Sequence, residues 1–135
     1  MKFVDERLLR ATRPEPEQFT GGVWQTRILQ ELRPDGLRAQ RFSYEPGARS
    51  VWHVHDGEQA LQVLAGRGVI TRSGERRGRE LLPGDWVHVE PGEKHWHGAT
   101  ADDLFVHMAV TASGRTHLHD PVSDEEYRAS HDIRR

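Results

Sequence analysis

The residues of this chain best placed to do chemistry are a histidine pair, a glutamine close behind it and a third histidine about forty residues on. His53-Val54-His55 sits in an apolar and aromatic stretch, and on a strand residues two apart project from one face, so both imidazoles can reach a single ion. Gln59 comes four residues later, and His95 follows a Pro-Gly turn in Pro91-Gly92-Glu93-Lys94-His95-Trp96-His97-Gly98. Taken alone, a His-x-His pair is more often an ordinary partly buried pair than a metal site. The chain has no cysteine, which removes disulfides, thiolate zinc sites and cysteine nucleophiles and leaves His, Asp, Glu and Gln as ligands.

Eight of the nine histidines lie between residues 53 and 119. On a strand running from Leu104 to Val110, His107 shares a face with Phe105 and Ala109. An inward His107 is either a base beside an ion or a core histidine bonded to a backbone carbonyl. His97 stands two residues from His95 and faces the same way, is second shell or is exposed. His88 is equally open, while His117, His119 and His131 read as surface residues. Trp52, Trp86, Trp96 and Phe42 read mainly as packing, with one or two of them lining a pocket.

The elements that must position these groups are short and alternating, with turn signals between them, which is the pattern of antiparallel β structure. Strands are expected at Val23 to Arg33, Leu37 to Glu45, Ser50 to His55, Gln59 to Ala65 and Gly68 to Arg72. Further strands are expected at Arg79 to Leu82, Trp86 to Glu90, His95 to Ala99 and Leu104 to Thr111. Pro34-Asp35-Gly36, Pro46-Gly47, Gly57, Gly66, Ser73-Gly74, Pro83-Gly84 and Pro91-Gly92 punctuate them. Many short strands at close spacing favour a closed barrel over an open sheet with long exposed edges, so the expected class is all-β, a small jelly roll. Ser123-Asp124-Glu125-Glu126 has the form of a capping box and predicts one short C-terminal helix. The expected organisation is an arm over residues 1–20, a barrel over 21–122 and a helix and tail over 123–135.

At 135 residues the chain has the size of one domain, and 19 Lys and Arg against 21 Asp and Glu give a net charge of −2. Nothing in that balance favours a nucleic-acid partner. The N-terminal stretch is interrupted by charges and no apolar run approaches a membrane span, so no membrane partner is expected and a cytoplasmic location is.

Two stretches resemble the conserved motifs of the cupin superfamily. Gly47-x5-His53-x-His55-x3-Gln59-x6-Gly66 is similar to the first, with Gln59 where Glu is usual. Gly84-Asp85-x4-Glu90-Pro91-Gly92-x2-His95 is similar to the second, with Glu90 where Pro is common and Ala99 where Asn is common. The resemblance implies a single cupin barrel holding one divalent transition metal on His53, His55, Gln59 and His95. A neutral amide in place of a carboxylate leaves the ion one negative charge short and a stronger Lewis acid. Glu58 is charged and adjacent, but on a strand it points to the opposite face from Gln59. Imidazole and amide ligands suit Mn, Fe, Co, Ni, Cu or Zn; resemblance to small bacterial cupins with this set puts manganese first and iron second.

A closer resemblance links the chain to bacterial cupins related to carboxymuconolactone decarboxylase. It rests on Phe19-Thr20-Gly21, the stretch Phe42 to Arg49, Trp52-His53-x-His55, Gln59, Pro83-Gly84-Asp85 and residues 91 to 99. Some members of that group are manganese-dependent hydroxynitrile lyases, which implies metal-assisted cleavage of an α-hydroxynitrile, with His107 in proton transfer and Ser50 where those lyases carry Thr. The competing expectations are an iron-dependent dioxygenase and a non-catalytic module that binds a metal and a small ligand. A small-molecule substrate and a homodimer or higher homo-oligomer are expected.

Overall fold

Period-two alternation runs through most of the chain in the computed structural model, which describes residues 1–30, 33 and 35–132. The strands, in chain order, are β1 (Phe19–Thr20), β2 (Val23–Leu29), β3 (Arg38–Tyr44), β4 (Arg49–Ser50), β5 (His53–His55) and β6 (Gln59–Gly66). They continue as β7 (Gly68–Arg72), β8 (Arg79–Leu81), β9 (Trp86–Val89), β10 (His95–Ala99), β11 (Phe105–Thr111) and β12 (Thr116–Leu118), and α1 (Asp124–Ser130) follows. One antiparallel sheet has the order β2-β3-β11-β6-β9. In the other, β10 is central, with β7 and then β8 on one side and β4 and β5 on the other; β1 borders β4 and β12 borders β5. The result is the two-sheeted, mostly β barrel with one short C-terminal helix that the sequence predicts.

Strand β11 shows how the pattern builds the interior. Phe105, His107, Ala109 and Thr111 are buried, while Val106, Met108 and Val110 are half-buried on the outer face. Val23, Tyr44, Ala48, Val63, Leu81, Ala99 and Phe105 form an apolar plug within the barrel. Val69, Trp96, Val122 and Tyr127 form a second cluster beneath α1. That helix carries the predicted capping box, with Ser123 and Glu126 bonded reciprocally. It is fastened by the Tyr127 hydroxyl, which donates to the Ala99 carbonyl at 2.7 Å, and by Arg49, which donates to Asp124 at 2.9 Å and lies 4.5 Å over the Tyr127 ring.

Two glycines hold the barrel together where a side chain could not. Gly66 has φ +77°, and a Cβ there would lie 1.8 Å from the Leu104 carbonyl oxygen. At Gly98 a Cβ would lie 2.5 Å from the Ala48 carbonyl oxygen, so only glycine lets β10 press against β4.

Several boundaries differ from the expectation. The strand from Val23 ends at Leu29; of its predicted remainder, Glu31 and Leu32 lie outside the described residues, as does Pro34 of the predicted turn. Ser50 to His55 divides into β4 and β5, because the backbone N–H of Val51 and of Trp52 turn away to Gln18 and Asp120. The N-terminal segment contributes β1 and a bridge from Thr12 to Gln25. Strand β12 is exposed at all three of its residues, so no alternation marked it. Trp86, expected to pack, is 65 % exposed. Among the described residues no helix is long and apolar enough to cross a membrane.

Candidate metal centre

The register of the sheets brings the predicted ligands together. His53 on β5 pairs directly with His95 on β10, and Gln59 at the start of β6 pairs with Thr111 at the end of β11. All four side chains are buried. Ring centroids lie 4.3 Å apart for His53 and His95, 5.0 Å for His53 and His55, and 5.5 Å for His55 and His95.

Each ring is held from behind. His53 Nδ1–H donates to the Val51 carbonyl at 2.8 Å and His95 Nδ1–H to the Glu93 carbonyl at 2.8 Å. A carbonyl can only accept, so both rings carry their proton on Nδ1 and keep a bare Nε2. His55 Nδ1 bonds the Thr116 hydroxyl at 2.9 Å, and Gln59 Nε2 donates to the Thr111 hydroxyl at 3.0 Å. These contacts leave His55 Nε2, His95 Nε2 and Gln59 Oε1 buried without a hydrogen-bond partner. Such orphaned acceptors cost about 1–3 kcal/mol each. Each is backed by a bond on its far side, the arrangement in which a metal-ligating histidine presents one lone pair to an ion.

Electrostatics favour the same state. Burial, followed by the neighbouring His95 and His55, pushes His53 well below its ordinary value. His55 is lowered to about 4 by burial, then by His95 and Arg38, with Gln59 and Asp56 acting against them. Burial lowers His95 as well. The rings are therefore neutral at physiological pH, the form that binds a cation.

His97, left open by the sequence, is buried in the same cluster. His53, His95 and His97 each offer a ligand nitrogen, all within 4.8 Å of one another. Two overlapping ligand sets thus share His53 and His95 and differ in whether His55 with Gln59, or His97, completes them. His97 Nδ1 lies 3.0 Å from the Tyr44 hydroxyl, and its backbone N–H donates to Ser50 Oγ at 3.1 Å.

His107 is fully buried, as its place on β11 predicts. Its Nε2 is 3.1 Å from the Tyr44 hydroxyl, and the Met108 backbone also interacts with the ring, so a tyrosine joins the backbone contact that the core reading expects. Burial lowers its pKa to about 4. His107, His97 and Ser50 line a cavity of about 450 Å³ together with His53, His55 and Gln59. Phe19, Phe42 and Ala109 supply apolar wall, and Arg38, Gln25 and Gln40 supply polar wall. Of the four aromatics read as packing, only Phe42 borders this cavity; Trp96 is in the core and Trp52 donates to Glu126 at 3.0 Å.

The remaining candidates fall outside the centre. Glu58 points away from Gln59 and bonds His88 at 2.7 Å on the exposed face. His117 is exposed and bonds Asp56 at 2.8 Å. The sequence reading assigned no role to Tyr44, Thr111 or Thr116. Thr111 could have been found by extending the inward face of His107 by four residues; Tyr44 shares a predicted face with Phe42. Thr116 left no signal, because its strand is not amphipathic.

The architecture and site define a class, and comparison with known proteins agrees. Residues 40–111 match the cupin domain family, and the chain belongs to that family. It is 39 % identical over 113 residues to an (R)-mandelonitrile lyase of Granulicella tundricola, covering 82 % of this chain and 86 % of the relative. A cupin-like protein from Thermotoga maritima superposes with a TM-score of 0.86 at 33 % identity, covering 93 % of this chain and 97 % of the other. A polyketide cyclase from Streptomyces resistomycificus shares the fold at 17 % identity, with a TM-score of 0.76 and 99 % coverage of both chains.

Proposed function

We propose that this protein is a metal-dependent lyase that cleaves and forms α-hydroxynitriles, with one divalent ion held by His53 Nε2, His55 Nε2, His95 Nε2 and Gln59 Oε1. The observation that carries the ligand set is the buried, partnerless state of His55 Nε2, His95 Nε2 and Gln59 Oε1. It favours His55 and Gln59 over His97, neither of whose ring nitrogens is among the buried, partnerless atoms. The nitrogen and oxygen donors, without thiolate, suit Mn, Fe, Co, Ni, Cu or Zn, and resemblance to small bacterial cupins with this ligand set puts manganese first and iron second. The 39 % identical mandelonitrile lyase supports the reaction class.

A bound ion supplies Lewis acidity for an oxygen or nitrile group of the substrate. The protein's own groups do the rest. The apolar wall at Phe19, Phe42 and Ala109 receives the organic substituent, and Ser50, whose oxygen already accepts the His97 N–H, has its hydroxyl proton free to orient the substrate. His107, neutral above about pH 4, accepts the substrate hydroxyl proton at Nδ1. As the O–H bond breaks, its electron pair forms the carbonyl, the C–CN bond breaks, and that electron pair leaves on cyanide. The proton then passes from His107 to cyanide, giving an aldehyde and hydrogen cyanide and restoring the neutral ring.

Mandelonitrile cleavage, followed as benzaldehyde release, tests this before and after loading with manganese. Metal-dependent release that is lost in His107→Ala, with metal content retained, is the expected result. Metal retention with no cleavage by the wild type would overturn the reaction.

A further inference from the structure

Tyr44 places one hydroxyl between two histidines, and the proton count of that bridge is restrictive. Its oxygen is 3.0 Å from His97 Nδ1 and 3.1 Å from His107 Nε2. The ring stacks on His107 with centroids 5.4 Å apart and planes inclined by 25°, and Tyr44 is only 2 % exposed. Burial pushes its hydroxyl well above the ordinary value of 10, so it keeps its single proton. It donates to one ring and accepts from the other.

Only two arrangements of neutral rings satisfy both bonds. In the first, His97 Nδ1–H donates to Tyr44, Tyr44 donates to His107 Nε2, and both rings are protonated on Nδ1. In the second, His107 Nε2–H donates to Tyr44, Tyr44 donates to His97 Nδ1, and both rings are protonated on Nε2. The rings are thus held in the same tautomer. The consequence for the site is a choice: in the first arrangement His97 Nε2 is bare and able to ligate an ion, but His107 Nδ1 carries a proton and is no base. In the second, His107 Nδ1 is bare and His97 Nε2–H is excluded from the ligand set.

We infer that Tyr44 is a positioning residue that links the two histidines into the second arrangement, so that His107 Nδ1 is available as base while His97 stays off the metal. The direction of the bridge rests on the proposed role of His107; the linkage itself follows from the two distances. In that state His97 Nε2–H is a donor facing the cavity, able to hold the substrate nitrile nitrogen or departing cyanide.

Long-range proton–nitrogen correlation of the imidazole rings, recorded on the full chain loaded with diamagnetic zinc, reads both tautomers directly. The expected spectrum has His97 and His107 each protonated on Nε2 and bare on Nδ1. One ring of each tautomer would overturn the linkage, and both rings protonated on Nδ1 would overturn its direction. Tyr44→Phe removes only the hydroxyl: at least one ring should move toward a mixture of tautomers, and kcat for mandelonitrile should fall about ten-fold or more with KM little changed. Unchanged ring nitrogens in Tyr44→Phe would overturn the inference whatever the kinetics. The wild-type spectrum decides the matter even if that variant does not fold. If the wild type cleaves no nitrile, the reaction reading fails, and the tautomer result still stands or falls on its own.

Discussion

Thr111→Val isolates the part of the site that most distinguishes this chain from the usual carboxylate pattern. Valine keeps the shape of threonine and removes the hydroxyl that accepts from Gln59 Nε2 at 3.0 Å. Both residues are about 5 % exposed, so the orphaned amide N–H has no water to turn to and the metal-free protein should lose about 1–3 kcal/mol. More telling is the effect on Oε1. With its amide no longer tethered, Gln59 is free to rotate about its terminal bond and withdraw the carbonyl oxygen from the ion. Losing such a supporting bond weakens metal binding by about 10- to 100-fold, or about 1.4–2.7 kcal/mol. Competition against a chromophoric chelator measures this directly, and urea unfolding of the metal-free protein measures the stability cost. A Thr111→Val protein that is destabilised yet binds metal with unchanged affinity would refute the assignment of Gln59 as a ligand. Gln59→Glu, which supplies the carboxylate, should bind a divalent ion more tightly than the wild type.

Three further outcomes follow from the same contacts. His55 and His107 are lowered from 6.5 to about 4, so below pH 6.5 the unfolded chain takes up protons that the folded, metal-free protein refuses. Stability should be full above pH 6.5 and fall toward pH 4, with a loss near pH 5.5 of about 1.4 kcal/mol per ring; a flat urea midpoint across that window would contradict the burial argument. Thr116→Val removes the partner of His55 Nδ1 and should weaken metal affinity about 10-fold or more, measured by the same chelator competition. Tyr127→Phe removes the 2.7 Å bond from α1 to the Ala99 carbonyl and should cost about 0.5–1.5 kcal/mol in thermal or urea unfolding, without altering metal content.

Much of the fold could be read from the chain because barrel strands alternate. Inward and outward residues differ in kind on β11, and Gly and Pro mark most of the turns, so β6, β7, β9, β10 and β11 fall close to where the pattern places them. The fine structure was hidden where backbone geometry outweighs side-chain pattern. A single expected strand from Ser50 to His55 divides because Val51 and Trp52 bond elsewhere, and β12 is stabilised by pairing with β5 while all its side chains are exposed. The predicted ligands could be named from spacing and motif. Their orientation could not, since the bonds that turn Nε2 inward come from the Val51 and Glu93 carbonyls and from Thr116. Tyr44 escaped notice for a related reason: a tyrosine in a strand reads as core, and only the tertiary fold shows its hydroxyl between His97 and His107.

Anomalous diffraction at the absorption edge of the metal, from crystals of protein purified without chelator, tests the ligand set most directly. One peak per chain, about 2.2 Å from His53 Nε2, His55 Nε2, His95 Nε2 and Gln59 Oε1, is the predicted result. A peak bound by His97 in place of His55 and Gln59, or no metal in the cluster at all, would contradict it.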